Sequence, residues 1–235
     1  MNIQKLLSPM RRAINDFEMI KSGDKIAVGV SGGKDSLALL TLLASYKRFS
    51  EHQFELCGIS IDMGFADNTF APVAEYCEKL NVPYHIVKTD IAEIVFEIRK
   101  EKNPCSLCAK MRRGALNNKI TELGYNKLAL GHHLDDIVET FLLSMFYEGR
   151  LNTMQPTSYM SRSEVTLIRP LVYIKERDIV GIAKELPVVK SPCPADKHTQ
   201  REAMKDILRE LAERDPAITT KIANAIMHPE RYNLW

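Results

Sequence analysis

The sequence predicts an α/β fold, a doubly wound parallel sheet covered by helices on both faces, and three observations support this prediction. The 235 residues, of which 45% are hydrophobic and 26% charged, suit a folded domain and exclude fibrous, low-complexity and disordered classes. Short apolar runs typical of buried strands occur at 25–30, 54–61, 84–87 and 127–130. Helical patterns separate these runs, as expected for parallel strands, which need crossover connections.

The first predicted element is an amphipathic helix over 3–20, because its apolar residues recur at three- and four-residue intervals. The turn Ser22-Gly23-Asp24 ends it ahead of the first strand. Beyond about 150, a polar loop through Ser163 leads to a further strand at 165–168. The other predicted helices are 36–46, 69–80, 137–146, 175–186, 199–212 and 216–227. We divide the chain into an N-terminal helix (1–24), a core (25–160) and a helical C-terminal extension (161–235), which also fits a single elaborated domain.

The charge balance and the hydropathy of the chain restrict the binding partners and the cellular compartment that we expect. Lys and Arg number 32 against 30 Asp and Glu, so any polyanion site has to be local. The longest apolar stretch, 37–44, is far shorter than the roughly 20 residues of a membrane span. The N-terminus lacks the apolar core of a signal peptide. We therefore expect a cytoplasmic protein without a membrane partner.

A glycine-rich loop is the first candidate site. The residues Ser31-Gly32-Gly33-Lys34-Asp35-Ser36 lie between a predicted strand and a predicted helix, where backbone N–H groups can surround phosphate oxygens. Lys34 adds a positive charge, and the two serines add hydroxyl groups. The spacing differs from that of a Walker A motif. The alternative is a glycine turn capped by serine.

Two further groups of polar residues follow predicted strands on the same sheet edge. Gly131-His132-His133-Leu134-Asp135-Asp136 follows the strand 127–130, and Asp62 follows another strand. Ligands of open α/β sheets gather at this edge. Asp135 and Asp136 could hold Mg²⁺ against ATP oxygens, since Mg²⁺ prefers one or two carboxylates plus phosphates. Helix capping is the alternative for both aspartates, and a turn role is the alternative for Asp62.

The cysteines form the third candidate site. Cys105 and Cys108 are three residues apart and lead into a helix predicted to begin at Lys110, and Cys193 stands between two prolines. Three thiolates at this spacing fit an incomplete zinc site or an iron–sulfur cluster with one open iron.

Two alternatives concern the remaining candidate metal ligands and cysteines. His132 or Asp196 could complete a structural zinc site. Cys57 and Cys77 fall within a predicted strand and helix, and we expect both in the core, because free cysteine is among the most buried residue types.

These motifs together resemble a known family. SGGKDS resembles the signature of the PP-loop ATP pyrophosphatases, whose fold is adenine nucleotide alpha-hydrolase-like and which cleave ATP between the α- and β-phosphates. With CSLCAKMRRG, LALGHHLDD, IRPL and a late PC in this order, the chain looks like the tRNA 2-thiocytidine synthetase family over about 16–211. The late second cysteine of some relatives is replaced by Asp196. No cysteine precedes Cys57, unlike the related 2-thiouridine enzymes with an N-terminal zinc finger.

The resemblance implies an ATP-dependent enzyme that adenylates the C2 oxygen of a pyrimidine, a cytidine in the tRNA anticodon loop, and replaces it with sulfur. The implied ATP-binding residues are Ser31, Gly32, Gly33, Lys34, Asp35, Ser36, Asp62, Gly131 and His132. The expected catalytic residues are Lys34, Asp35, Arg112, Asp135 and Asp136. The implied cofactors are Mg²⁺ and a [4Fe-4S] cluster on Cys105, Cys108 and Cys193.

Partners follow from this function. The basic residues considered for tRNA contact are Arg99, Lys100, Lys102, Lys110, Arg112, Arg113, Arg150 and Arg162. A sulfur donor such as a cysteine desulfurase is expected, and a homodimer is considered. Two other functions compete: a PP-loop ligase or sulfur transferase for a small molecule with a structural zinc, and a sensor that binds ATP and a cluster without catalysis.

Overall fold

One six-stranded sheet organises the chain. The computed structural model describes residues 3–65, 69–100, 104–190, 193 and 200–233. The strands are β1 (Lys25–Gly29), β2 (Glu55–Asp62), β3 (Tyr84–Lys88), β4 (Lys127–Ala129), β5 (Thr157–Met160) and β6 (Val165–Ile168). Their order is β3-β2-β1-β4-β6-β5, and every neighbouring pair is parallel except β5 with β6.

Helices connect these strands. They are α1 (Gln4–Asp16), α2 (Lys34–Lys47), α3 (Ala71–Lys79), α4 (Pro104–Glu122), α5 (Leu134–Leu143), α6 (Glu176–Ala183), α7 (Gln200–Arg214) and α8 (Ile218–Met227). Short π-helical segments, Glu93–Ile98 and Ser144–Glu148, precede α4 and extend α5, and Pro229–Arg231 forms a 3₁₀ turn. Within the described residues, no helix has the length and apolar character needed to cross a membrane.

Alternating side chains of the strands pack into two hydrophobic cores. Ile26 and Val28 of β1 lie in the core shared with α1 and α2, whereas Ala27 lies in the core of the opposite face with Ile120 of α4. This alternation follows from the two-residue period of a strand. Helices therefore cover both faces of the sheet, which confirms the predicted fold class.

The N-terminal helix is shorter than predicted. Its buried side chains are Leu6, Leu7, Met10, Ala13 and Ile14, as the amphipathic pattern indicates. It ends at Asp16 rather than near 20, because Glu18 adopts a positive φ of 44°. Met19 and Ile20 are nevertheless buried in the connection that follows.

Two other segments depart furthest from the prediction. The polar loop predicted before Ser163 contains β5, an edge strand whose Tyr159 is 65% exposed, so it lacks the apolar run of a buried strand. Helix α4 begins at Pro104 rather than at Lys110, since proline is favoured in a first helical turn. Cys105 and Cys108 therefore lie within the helix and not ahead of it.

The sheet order places a crevice at one edge. From β1 the chain proceeds outward to β2 and β3 and then crosses to β4 on the other side of β1. The carboxyl ends of β1 and β4 consequently flank a topological switch point, where ligands of open α/β sheets bind. The glycine-rich loop follows β1, and Gly131 lies two residues after β4.

Candidate active site

Hydrogen bonds within the glycine-rich loop fix its shape at the N-terminus of α2. The Ser31 N–H donates to Ser36 Oγ at 3.1 Å, and the Ser36 hydroxyl donates to the Gly33 carbonyl at 2.9 Å. Gly32 has a φ of +84°, which disfavours other residues. A helix N-terminus with backbone donors and a dipole of positive sign is suited to bind phosphate.

Close packing joins this loop to the end of β4. A Cβ on Gly131 would lie 2.8 Å from the carbonyl carbon and oxygen of Asp35. Glycine is therefore required there, and the contact brings His132 beside the loop. On the other side, the Val189 N–H donates to the Gly32 carbonyl at 2.9 Å. The chain just before Cys193 is thus hydrogen-bonded to the loop.

Lys34 lies in an ion-pair network that the sequence does not reveal. Its Nζ is 2.8 Å from Glu176 Oε1 and 3.0 Å from Asp35 Oδ2. Burial lowers the pKa of Lys34, but its contacts with Glu176 and Asp35 outweigh burial, so the pKa is raised. The other oxygen of Glu176 is 3.6 Å from Lys205 Nζ. Two cations therefore contact the carboxylate of Glu176.

Both aspartates after β4 make helix-capping contacts, the alternative that the sequence leaves open. Asp136 Oδ2 accepts the His133 N–H at 3.0 Å, and His133 Nδ1 accepts the Asp136 N–H at 3.4 Å. Asp135 Oδ2 accepts the N–H of Glu176, the first residue of α6, at 2.7 Å. These bonds fix the start of α5 and of α6 beside the loop.

Asp35 has one carboxylate oxygen without a hydrogen-bond partner among the described residues. Asp35 Oδ1 is buried, and no described residue hydrogen-bonds to it. A buried carboxylate oxygen without a donor is costly, and a cation removes that cost. Because Mg²⁺ is held by one or two carboxylates plus phosphate oxygens, Asp35 fits a Mg²⁺ ion bound together with ATP.

Arg201 of α7 is a further charged residue at the site. Its guanidinium contacts Asp136 Oδ1 at 2.7 Å and Thr140 Oγ1 at 3.2 Å. It also lies 3.7 Å from Glu139, whose side chain is 2% exposed. Burial raises the pKa of Glu139 to about 7. Helix α7 thus supplies a cation to the crevice although Arg201 is 65 residues from Asp136 in sequence.

His132 is held in one tautomer by Arg169. The Arg169 Nε–H donates to His132 Nδ1 at 3.2 Å, which leaves the proton of the neutral ring on Nε2. Burial lowers the pKa of His132 to about 4, and the nearby Arg169 also acts to lower it. His132 is therefore a neutral hydrogen-bond donor at physiological pH.

These elements enclose a cavity of about 500 Å³. Its lining includes the polar residues Ser31, Asp35, Ser36, Gly131, His132, Asp136, Arg112, Arg113 and Arg201. The predicted nucleotide and Mg²⁺ residues outside this lining are Gly32, Gly33, Lys34, Asp62 and Asp135. Asp62 ends β2, and its Oδ1 accepts the Gly64 N–H at 3.1 Å. The cavity therefore unites most, though not all, of the predicted site.

The three candidate cluster cysteines lie close enough together for their charges to interact. Burial raises the pKa of the Cys108 thiol, Arg112 lowers it, and the charges of Cys193 and Cys105 raise it. Cys105 is exposed and Cys193 is half-buried. Across the described residues, no three His, Cys, Asp or Glu side chains are arranged as a metal site. Two thiols one helical turn apart and a third nearby are nevertheless the donor set that a three-thiolate iron–sulfur cluster needs.

The remaining predictions about cysteines and ligands are resolved in part. Cys57 and Cys77 are buried, as predicted, and burial raises the pKa of each thiol to about 11. Asp196, considered as a zinc ligand, and Lys102, considered for tRNA contact, lie outside the described residues.

A doubly wound sheet with a glycine-rich loop at its switch point is typical of nucleotide-binding proteins, among them the PP-loop class. A family profile described as a PP-loop domain matches residues 3–210. A tRNA-cytidine(32) 2-sulfurtransferase of Geobacter sulfurreducens is 41% identical over 95% of this chain and 89% of its own length. The enzyme of the same name from Alcanivorax borkumensis is 39% identical over 96% of this chain and 81% of its own. The chain belongs to the PP-loop family and, within it, to the family of these tRNA-cytidine 2-sulfurtransferases.

Solved structures show the same architecture. The U34-tRNA thiolase NcsA from Methanococcus maripaludis, solved with its [4Fe-4S] cluster, is 26% identical and superposes with a TM-score of 0.79. That match covers 98% of this chain and 80% of the thiolase. The NH3-dependent NAD synthetase of Campylobacter jejuni shares the fold, with a TM-score of 0.52 at 16% identity over 100% of this chain and 99% of that chain.

Proposed function

We propose that the protein is an ATP-dependent tRNA sulfurtransferase that adenylates the C2 oxygen of a cytidine, position 32 of the anticodon loop, and replaces that oxygen with sulfur. The observation that carries the proposal is the position of Arg112. This residue lines the cavity of the phosphate loop, and its charge acts on the thiol of Cys108. A nucleotide site and a cysteine site therefore share one side chain of α4.

The glycine-rich loop binds the pyrophosphate part of ATP in this proposal. The N-terminus of α2 and the hydroxyls of Ser31 and Ser36 face the phosphates, and Lys34 exchanges its contact with Glu176 for a phosphate oxygen. Asp35 would hold Mg²⁺, with Asp136 as a second candidate ligand. The ion supplies charge neutralisation at the phosphates.

The chemistry consists of two displacements. The C2 oxygen of cytidine attacks the α-phosphorus, the bond to the β-phosphate oxygen breaks, and pyrophosphate leaves. Hydrosulfide then attacks C2, the C2–O bond breaks, and AMP leaves with the oxygen while one proton is released. Arg112 and Arg201 stabilise the negative charge of the leaving groups, and His132 donates its Nε2 proton as a hydrogen bond.

The cysteines provide the sulfur site. Cys105, Cys108 and Cys193 would hold a [4Fe-4S] cluster, which supplies an open iron for binding sulfide. Cys105 and Cys108 lie in the first two turns of α4, one to two turns before Arg112. This spacing supports delivery of sulfide close to the adenylated base and its leaving AMP.

The same proposal includes partners and compartment. Transfer RNA is the macromolecular substrate, and a sulfur donor such as a cysteine desulfurase regenerates the sulfide. We expect the reaction in the cytoplasm and a homodimer as the assembly.

An anaerobic assay tests the proposal. Reconstituted protein receives ATP, Mg²⁺, sulfide and an unmodified tRNA transcript with cytidine at position 32, and nucleosides, AMP and pyrophosphate are measured. One 2-thiocytidine per AMP and per pyrophosphate is expected, and a transcript with uridine at position 32 is the matched control. A colourless zinc protein that releases AMP with a small carbonyl compound, and not with tRNA, would favour the small-molecule alternative.

A further inference from the structure

Two arginines, one in the cavity lining and one hydrogen-bonded to that lining, lack an acidic partner within the described residues. Arg113 of α4 lines the cavity, and Arg169, which follows β6, donates to His132 of the same lining. Within the described part of the chain, neither guanidinium has a carboxylate at ion-pair distance. Arg112 of the same lining is also without an ion pair among the described residues, whereas Lys34 pairs with Glu176 and Arg201 pairs with Asp136.

Arg169 is fixed in place rather than free to move away. Its Nε donates to His132, and one terminal nitrogen donates to the Gln155 carbonyl. Burial lowers the pKa of Arg169 to about 10, and the positive charge of Arg113 also acts to lower it. A half-buried cation that experiences the charge of a second cation is electrostatically unfavourable, and an anion bound by both reduces the repulsion.

The backbone of Arg169 lies apart from the glycine-rich loop. Arg169 follows β6, the glycine-rich loop follows β1, and β4 lies between these strands. Neighbouring strands are about 4.8 Å apart, so the two positions are separated by about 10 Å along the sheet edge. Pyrophosphate bound at the end of β1 would therefore leave Arg169 available for another phosphate, which Arg113 would reach from the cavity lining.

We propose that Arg113 and Arg169 form a second phosphate subsite, which binds a backbone phosphodiester of the tRNA next to the target nucleotide. Two planar guanidinium forks suit the two unbridged oxygens of a phosphodiester. The inference rests on the proposed function. It adds that Arg169 has two roles, because it contacts the RNA backbone and also fixes the tautomer of His132. RNA binding and the hydrogen-bond donor at the reacting base therefore depend on the same side chain.

The experiment compares three substitutions that each remove one charge. Arg113→Gln and Arg169→Gln alter the subsite, and Arg48→Gln is the matched control. Arg48 is exposed just beyond the far end of α2, about 20 Å from the phosphate loop. The probe is the same tRNA transcript. Its Kd is measured by fluorescence anisotropy at several salt concentrations, and the Kd of ATP is measured in parallel.

The expected result is specific to RNA. Each subsite variant raises the Kd of tRNA by about tenfold and lowers the slope of log Kd against log salt by about one. In Arg113→Gln, the Kd of ATP changes less than about twofold. Arg169→Lys, which keeps the charge and loses the fork, recovers the slope more than the affinity. Arg48→Gln behaves as the wild type.

Other results overturn the inference. If both subsite variants keep the affinity and the salt slope of the wild type, no phosphate is bound there. If the Kd of ATP rises while that of tRNA is unchanged, the pair belongs to the nucleotide. Arg113 is exposed and makes no hydrogen bond within the described residues, so its variant tests the subsite even where Arg169→Gln fails to fold. Formation of 2-thiocytidine by the wild-type protein, measured with the same tRNA, tests the proposed function separately. The proposed function fails only if no 2-thiocytidine forms.

Discussion

At the scale of residues, two cations of the site are held by carboxylates before any substrate arrives. Lys34 contacts Glu176, and Arg201 contacts Asp136. The Lys34–Glu176 contact is 2.8 Å long and the Arg201–Asp136 contact is 2.7 Å long, so both cations have a fixed orientation at the crevice. Arg201 therefore needs little reorganisation to stabilise developing negative charge, whereas Lys34 exchanges Glu176 for a phosphate oxygen in the proposed mechanism.

Lys34→Ala is expected to slow pyrophosphate release by about 10²-fold, because it removes a positive charge from the reacting phosphates. The fold should persist, since Lys205 still balances Glu176. The measurement is pyrophosphate release alongside the visible absorbance of the cluster. A variant that loses the cluster, or one with unchanged release, contradicts this assignment.

Arg201→Ala is expected to lower the adenylation rate by at least about tenfold, because Asp136 loses its cationic partner and the cavity loses a positive charge. Arg209→Ala is the control on the same helix, since Arg209 is 64% exposed and contacts only Glu202 and Asp206 among the described carboxylates. The rate is measured as AMP formation with saturating tRNA. Equal rates for the two variants would remove Arg201 from the active site.

Local motifs make part of this site predictable and leave another part hidden. The loop 31–36 is contiguous, so its residues can be recognised together. Glu176 and Arg201 reach the site from 142 and 65 residues beyond their partners, and neither lies in a recognisable motif. The double role of Asp136, in a helix cap and in an ion pair, also requires coordinates, because capping and metal binding use the same residue type.

At the scale of elements, buried polar contacts anchor the N-terminal segment to the sheet. Lys127 of β4 is buried, and its Nζ lies 2.6 Å from the Met19 carbonyl and 2.8 Å from Asp24 Oδ2. Asp24 also accepts hydrogen bonds from Asn126 Nδ2 and from the Lys21 N–H. The connection between α1 and β1 is thereby tied to the adjacent strand.

Lys127→Met is expected to lower the free energy of unfolding by about 3 to 5 kcal/mol, because it leaves the carboxylate of Asp24 buried without its cation. Lys25→Met is the matched control, since the pair of Lys25 with Glu55 is exposed and contributes at most about 1 kcal/mol. Urea denaturation of both variants measures the difference. Similar losses for the two variants would show that burial of the pair is unimportant.

Prediction from sequence succeeds best for the central elements. The strands β1, β2 and β4 are apolar because both of their faces are covered, and this gives an unambiguous pattern. The edge strand β5 lacks such a run, so its sequence indicates a loop. The pair Cys105 and Cys108 suggests a metal-binding loop ahead of α4, whereas Pro104 already begins the helix.

At the scale of the whole molecule, one buried acid links stability to pH. Glu139 of α5 lies between Arg201 and Lys205 of α7, and its pKa is raised to about 7 chiefly by burial. Apolar side chains of the two helices, among them Leu142 and Leu208, pack together around the same interface. The charge state of Glu139 therefore acts on the packing of α7 against α5.

Because the folded-state pKa of Glu139 exceeds the ordinary value of 4.5, its contribution to stability is full below pH 4.5 and is lost as pH rises through about 7. Glu139→Gln, which cannot ionise, should flatten the dependence of the unfolding free energy on pH between these values. Glu213→Gln, at an exposed position on α7, serves as the control. An unchanged pH dependence in Glu139→Gln would contradict the raised pKa.

The order of strands is the feature of the whole molecule that the sequence predicts least. Alternating strands and helices indicate a parallel sheet, but they do not state that β4 lies beside β1 or that β6 follows β4. That order brings Arg169 and the glycine-rich loop to one crevice. It results from long-range packing, which no local pattern in the sequence encodes.

The most direct test of the central claim is mass spectrometry of nucleosides from the bulk tRNA of a deletion strain and its parent. The expected result is loss of 2-thiocytidine in the deletion strain and its return with the wild-type gene, but not with Lys34→Ala or Cys193→Ala. Persistence of 2-thiocytidine in the deletion strain would contradict the proposed function, and the substrate of the PP-loop site would then have to be sought among other carbonyl compounds.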